Sequence, residues 1–102
     1  MKVGQVEAPI DAIAAFCQRW NVAELSLFGS ALRDDFGPDS DVDVLLTFAP
    51  GGGFTFENFT AMQDELSAVF GGRTVDLVEK RAVRNPFIRY DILTTRRVIY
   101  AA

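Results

Sequence analysis

Leu27-Phe28-Gly29-Ser30-Ala31-Leu32-Arg33-Asp34-Asp35-Phe36-Gly37-Pro38-Asp39-Ser40-Asp41-Val42-Asp43-Val44-Leu45-Leu46 is the stretch on which the reading of this chain turns. Residues two apart in a strand share a face, so Asp41 and Asp43 set two carboxylates side by side at the head of an otherwise apolar strand, Val42–Phe48. Like charges this close repel unless a proton or a cation lies between them. Asp76 raises the same question, because it sits between Val75 and Leu77 in a later strand expected over Thr74–Val78. A divalent cation answers it. Magnesium takes oxygen from one or two carboxylates and completes its shell with water and substrate phosphates. Three converging aspartates would hold two such ions, the arrangement used for in-line displacement at phosphorus.

Gly29-Ser30 supplies the other half of that chemistry. A strand, Leu25–Phe28, ends at glycine and leads into a short helix, whose first N–H groups are an expected anion site. Glycine lets a phosphate approach the main chain, the Ser30 hydroxyl adds a hydrogen bond, and Arg33 lies one turn on, within reach of phosphates or of the acidic cluster. Asp39, Asp41 and Asp43 also spell D-x-D-x-D, but a calcium loop needs glycine at its sixth position and glutamate at its twelfth. Val44 and Pro50 stand there, which excludes it. Asp39 alone reads as a solvated turn after Gly37-Pro38.

Outward from this centre, Ile10, Ile13, Cys17 and Trp20 recur at helical spacing and predict a helix over Pro9–Trp20. Phe59, Met62, Leu66 and Val69 predict a second over Glu57–Phe70, stopped by Gly71-Gly72. Asn85-Pro86 predicts a capped third helix with Ile88 and Ile92 on one face, and Arg97–Tyr100 a closing strand. The order predicts an α/β domain, a mixed sheet of about four strands flanked by helices, in one unit over residues 1–102. Ala49–Gly53 is a turn; its glycines lack the spacing and the leading strand of a dinucleotide fingerprint. Phe54, Phe56 and Phe59 are expected to pack at the start of the second helix, and Cys17 and Trp20 in the core.

Composition narrows the chemistry. The 102 residues contain no histidine, which removes serine–histidine triads, imidazole bases and imidazole zinc sites. One cysteine excludes an internal disulfide. The longest apolar run, Ala12–Cys17, is six residues, so no membrane association is expected, and with no signal stretch the cytoplasm is the expected compartment. The formal charge of −4 argues against direct nucleic-acid binding. It is unevenly spread, with 3 basic and 11 acidic groups before residue 73 and 7 basic and 3 acidic groups from there on. Arg81, Arg84 and Arg89 read as a solvated face, with triphosphate contact as the alternative.

Gly29-Ser30, ten intervening residues, Asp41-Val42-Asp43 and a later strand aspartate, Asp76, together resemble the DNA-polymerase-beta-like nucleotidyltransferase superfamily, and most of all its minimal nucleotidyltransferase branch, found beside HEPN-domain ribonuclease toxins. The resemblance implies that Asp41 and Asp43 bind metal, that Asp76 assists the metal or the attacking hydroxyl, and that Gly29 and Ser30 hold nucleotide phosphates. It implies transfer of AMP from ATP, with magnesium, to a tyrosine of a HEPN toxin, silencing it. A non-catalytic antitoxin acting by occlusion is the alternative, and RNA or a small hydroxylated molecule is a third acceptor class. An acidic surface suits a basic partner in either antitoxin reading.

Overall fold

The computed structural model describes residues 1–37 and 39–102. Ile10–Arg19 forms α1, with Asp11 in its first turn and Arg19 in its last, each complementing the helix dipole. Four strands make the main sheet, which is mixed as expected. In chain order, after a short N-terminal hairpin of β1 (Lys2–Val3) and β2 (Val6–Glu7), they are β3 (Val22–Phe28), β4 (Val42–Phe48), β5 (Val75–Glu79) and β6 (Arg97–Ala101). Their spatial order is β5-β4-β3-β6. β4 and β5 run parallel, the crossover between them being α2 (Phe59–Val69), while β3 is antiparallel to both its neighbours.

Alternation along the strands sorts the two faces. Leu25, Leu27, Val42, Val44, Leu46, Val75 and Leu77 turn toward α1 and α2 and meet Ile13, Phe16, Cys17, Met62 and Leu66 in one hydrophobic cluster. Burial of the Cys17 thiol there pushes its pKa up to about 12, so it is inert core as expected. Trp20 packs against the cluster's edge. The alternate positions, Ser26 and Phe28 on β3, Asp43, Leu45 and Thr47 on β4, and Asp76 and Val78 on β5, lie on the opposite face.

Several boundaries differ from the sequence expectation, each for a tertiary reason. β3 begins at Val22 instead of Leu25, because β4 is long enough to pair Phe48 with Val22. α2 begins at Phe59 instead of Glu57. Asn58 accepts from the Thr55 N–H at 2.8 Å, the Thr55 hydroxyl accepts from the Asn58 N–H at 3.0 Å, and this reciprocal turn occupies the expected first residues. Phe54 stacks edge-on between Phe48 and Phe59, with ring centroids 5.1 and 5.0 Å apart. The same turn leaves Phe56 fully exposed, against the packing expected of it. The β1–β2 hairpin is too short for any periodicity to announce, yet the Gln5 N–H donates to the Ala31 carbonyl at 3.2 Å and ties it to the turn after β3.

α3 (Pro86–Thr95) starts as expected, with Asn85 accepting from the N–H groups of Phe87 at 3.0 Å and Ile88 at 3.2 Å, and with proline at its first position. None of its residues is buried. The cap therefore carries an unusual share of its stability: Asn85→Ala is expected to cost about 1 kcal/mol. Hydrogen exchange should show it as faster exchange across residues 86–95, with the core strands unchanged. No helix among the described residues is long and apolar enough to cross a membrane.

Candidate active site

The head of β4 is built by three neighbours. The parallel register sets Asp43 directly beside Asp76 on β5, and the antiparallel register sets Phe28, the last residue of β3, opposite Asp43. Asp41 lies just before β4, two residues from Asp43 and on the same face. The structure thus brings the three aspartates to one edge of the open face, with Asp41 and Asp76 exposed and Asp43 half-buried.

Gly29 follows Phe28 with φ +64 and opens a single 3-10 turn, Gly29–Leu32, in place of the expected short helix. That turn folds Ser30 onto Asp43: the Ser30 N–H and hydroxyl both lie 3.3 Å from Asp43 Oδ2, and the hydroxyl is 3.0 Å from the Asp41 carbonyl. The single hydroxyl proton serves one of these acceptors at a time. A Cβ on Gly29 would fall 2.4 Å from Asp43 Oδ2, so glycine is demanded both by the backbone angle and by the carboxylate it faces. The expected phosphate donors and the expected metal ligand are therefore in mutual contact.

Burial pushes the Asp43 pKa above the ordinary carboxylate value; the two Ser30 bonds oppose this, and the charges of Asp76 and Asp41 add to it. Among the described residues, no Lys or Arg forms an ion pair with any of the three aspartates. Nor do three His, Cys, Asp or Glu side chains there converge closely enough to hold one metal ion. The three carboxylates form an open edge, with Asp43 drawn toward Ser30, and not a closed cage.

Sequence reasoning missed Arg73. Its Nη1 donates to the Gly37 carbonyl at 2.9 Å and lies 3.4 Å from that of Ser40, and its guanidinium stacks 4.5 Å over Phe36. With the Val42 N–H donating to the Thr74 carbonyl at 2.9 Å, this fastens the loop that delivers Asp41. A lone arginine next to a strand carries no signal of that role.

Arg33 is exposed and lines a cleft of about 610 Å³ together with Phe28, Gly29 and the inner side of α3. Arg81 and Arg89 line a different cleft, of about 450 Å³, beside Phe48 and Glu79 at the far ends of β4 and β5. Five residues of strand, about 17 Å, separate Asp43 from Phe48, so these arginines are not part of the aspartate edge. Arg81 pairs with Glu79, and Arg89 donates to the carbonyls of Lys80 at 2.8 Å and Val83 at 3.3 Å. Arg89 is thus a structural clamp rather than part of a solvated face.

Comparison with known proteins agrees with this geometry. The nucleotidyltransferase domain model matches residues 11–99. The protein adenylyltransferase MntA of Thermococcus cleftensis is 32% identical over 83 residues, which cover 81% of this chain and 78% of that protein. A solved structure described as a minimal nucleotidyltransferase superposes with a TM-score of 0.68 at 28% identity, covering 86% of each chain. The fold also recurs, with a TM-score of 0.62 at 16% identity over 91% of this chain and 70% of the other, in a complex of a tri-AMPylated Shewanella oneidensis HEPN toxin with an MNT antitoxin. By its aspartate edge, its Gly-Ser turn and this family match, the chain belongs to the nucleotidyltransferase domain family.

Proposed function

We propose that this protein transfers AMP from ATP to a tyrosine hydroxyl of a partner HEPN ribonuclease toxin and so neutralises it. The observation that carries the reading is the lateral pairing of Asp43 with Asp76 beside the Gly29-Ser30 turn, with no cationic side chain paired to either among the described residues. Supporting the acceptor class, the MntA relative is named a protein adenylyltransferase, and the Shewanella complex holds an AMPylated HEPN toxin.

An oxygen-only donor edge without a cation suits magnesium, which needs one or two carboxylates and takes its remaining ligands from water and phosphate. Asp41 and Asp43 would hold it, with Asp76 beside them, and two ions fit the three negative charges. When bound, magnesium neutralises charge on the reacting phosphate and pyrophosphate oxygens.

The chain's own groups do the rest. Ser30 exchanges its contact with Asp43 for a phosphate oxygen, and Gly29 lets that phosphate approach the backbone. Arg33 contributes positive charge from the edge of the adjoining cleft. The acceptor hydroxyl oxygen forms a bond to the α-phosphorus, the α–β bridging P–O bond breaks, and pyrophosphate leaves with that electron pair. Asp76, exposed at the edge of the face, takes the hydroxyl proton. Positioning of the two reactants supplies much of the rate.

The test is incubation with the partner toxin, ATP and magnesium, followed by intact-mass measurement of both proteins. The toxin should gain whole adenylyl units, and its ribonuclease activity should fall with them. The Asp41→Ala plus Asp43→Ala variant should still bind the toxin yet leave its mass and its ribonuclease activity unchanged. Full neutralisation by that variant would favour occlusion and overturn the enzymatic reading.

A further inference from the structure

The cleft of about 610 Å³ beside the aspartate edge is within the size range of small-ligand sites, roughly 300–1,000 Å³. Its walls differ in chemistry. Phe28 and Leu32, from the end of β3 and the turn after it, make one apolar side, and Ile88 and Ile92, one turn apart on α3, make the other. Apolar side chains of this kind suit a flat ring. Asp91 lies between the two isoleucines on the same helix and also lines the cleft, as does Thr95.

Asp91 is the unexplained residue there. Among the described residues its carboxylate makes no ion pair and accepts no hydrogen bond, although Arg33 and Arg97 line the same cleft. The Thr95 hydroxyl donates to the Asp91 carbonyl at 2.7 Å, so its proton is committed and its oxygen is left as an acceptor. The helix therefore presents acceptors, and no competing side-chain donor from these two residues, to whatever enters. Gly29 lines this cleft and also faces Asp43, so the cleft adjoins the reacting edge.

We propose that this cleft takes the base of the nucleoside triphosphate and that Asp91 is its specificity-determining residue, accepting a hydrogen bond from the 6-amino group of adenine. The proposal rests on the nucleotidyl-transfer reading above. A carboxylate facing an amino group accepts its hydrogen bond, whereas one facing a carbonyl oxygen at the same ring position meets a like partial charge and is repelled. Discrimination then comes from a hydrogen bond to a charged group and not from the size of the base.

Inosine triphosphate, which carries a carbonyl oxygen where ATP carries the amino group, separates the possibilities. Dissociation constants for ATP and inosine triphosphate with magnesium, measured by calorimetry, should favour ATP at least about tenfold in the natural protein. Asp91→Asn is isosteric at an exposed position, and its amide can donate to the carbonyl. The ratio should therefore fall to near one or invert, while Asp91→Ala should weaken ATP and leave little preference. Equal binding of the two nucleotides by the natural protein, tighter binding of GTP or CTP than of ATP, or an unchanged ratio in Asp91→Asn would overturn the assignment of Asp91 while leaving nucleotidyl transfer standing. Failure of every triphosphate to bind the natural protein would overturn both.

Discussion

Asp43→Asn is expected to lower adenylyl transfer by about a thousandfold or more while making the ligand-free protein more resistant to heat at neutral pH. The loss follows from its place at the head of β4, between Ser30 and Asp76. Charge stabilisation at a phosphoryl centre is worth several kcal/mol, and each 1.36 kcal/mol is tenfold in rate. The gain in stability follows from what raises the Asp43 pKa, burial first and then the charges of Asp76 and Asp41. A carboxyl whose pKa is higher folded than unfolded imposes no penalty below its unfolded value. The penalty grows as pH rises through the interval up to the folded value, and it is complete above that. Asparagine is spared it, and its side-chain oxygen still accepts from the Ser30 N–H. Thermal melts in chelator should therefore place the variant above the natural protein at neutral pH, with the gap closing on acidification through that interval. Magnesium should raise the melting temperature of the natural protein more than that of the variant. Transfer within tenfold of the natural rate, or a lower melting temperature at neutral pH, would contradict this account of the residue.

The parts of the site legible in the sequence are those set by local geometry. Asp41 and Asp43 share a face because strand side chains alternate, and Gly29 ends a strand because a residue at φ +64 is seldom anything else. The α/β order and the capped start of α3 follow from periodicity and from Asn85-Pro86 in the same way. What was not legible depends on partners distant in sequence. Asp76 is expected near Asp41 and Asp43 from its place in an apolar strand, but the register that sets it directly beside Asp43, with β4 and β5 parallel, is encoded by no spacing along the chain. Arg73 fastens the loop before Asp41 from 36 residues beyond its Gly37 partner. Ile88 and Ile92 have the spacing of a packing face, yet they line an open cleft, because nothing in periodicity separates a surface that meets the core from one left open. Phe56 erred in the opposite direction, since aromaticity favours burial but the Thr55–Asn58 turn points it outward.

Gly29→Ala is the second large effect expected, and it tests whether the turn and the carboxylate are one device. Two costs combine in it. Holding an L-residue at φ +64 costs roughly 1–2 kcal/mol. The new Cβ would also lie 2.4 Å from Asp43 Oδ2, a distance that real Cβ atoms do not tolerate, so the carboxylate must rotate away and give up both Ser30 bonds. Stability should fall by about 2 kcal/mol, a drop on the order of 10 °C in melting temperature for a domain of this size. Transfer should fall by about a hundredfold or more, because displacement of a reacting group by as little as 1 Å is that costly. The two costs are separable by a double-mutant cycle with Asp43→Ala. With the carboxylate gone only the backbone cost remains, so Gly29→Ala should destabilise the Asp43→Ala protein less than it destabilises the natural one. Equal costs in the two backgrounds would mean that the glycine serves the backbone angle alone, and that the close approach of Asp43 is incidental to it.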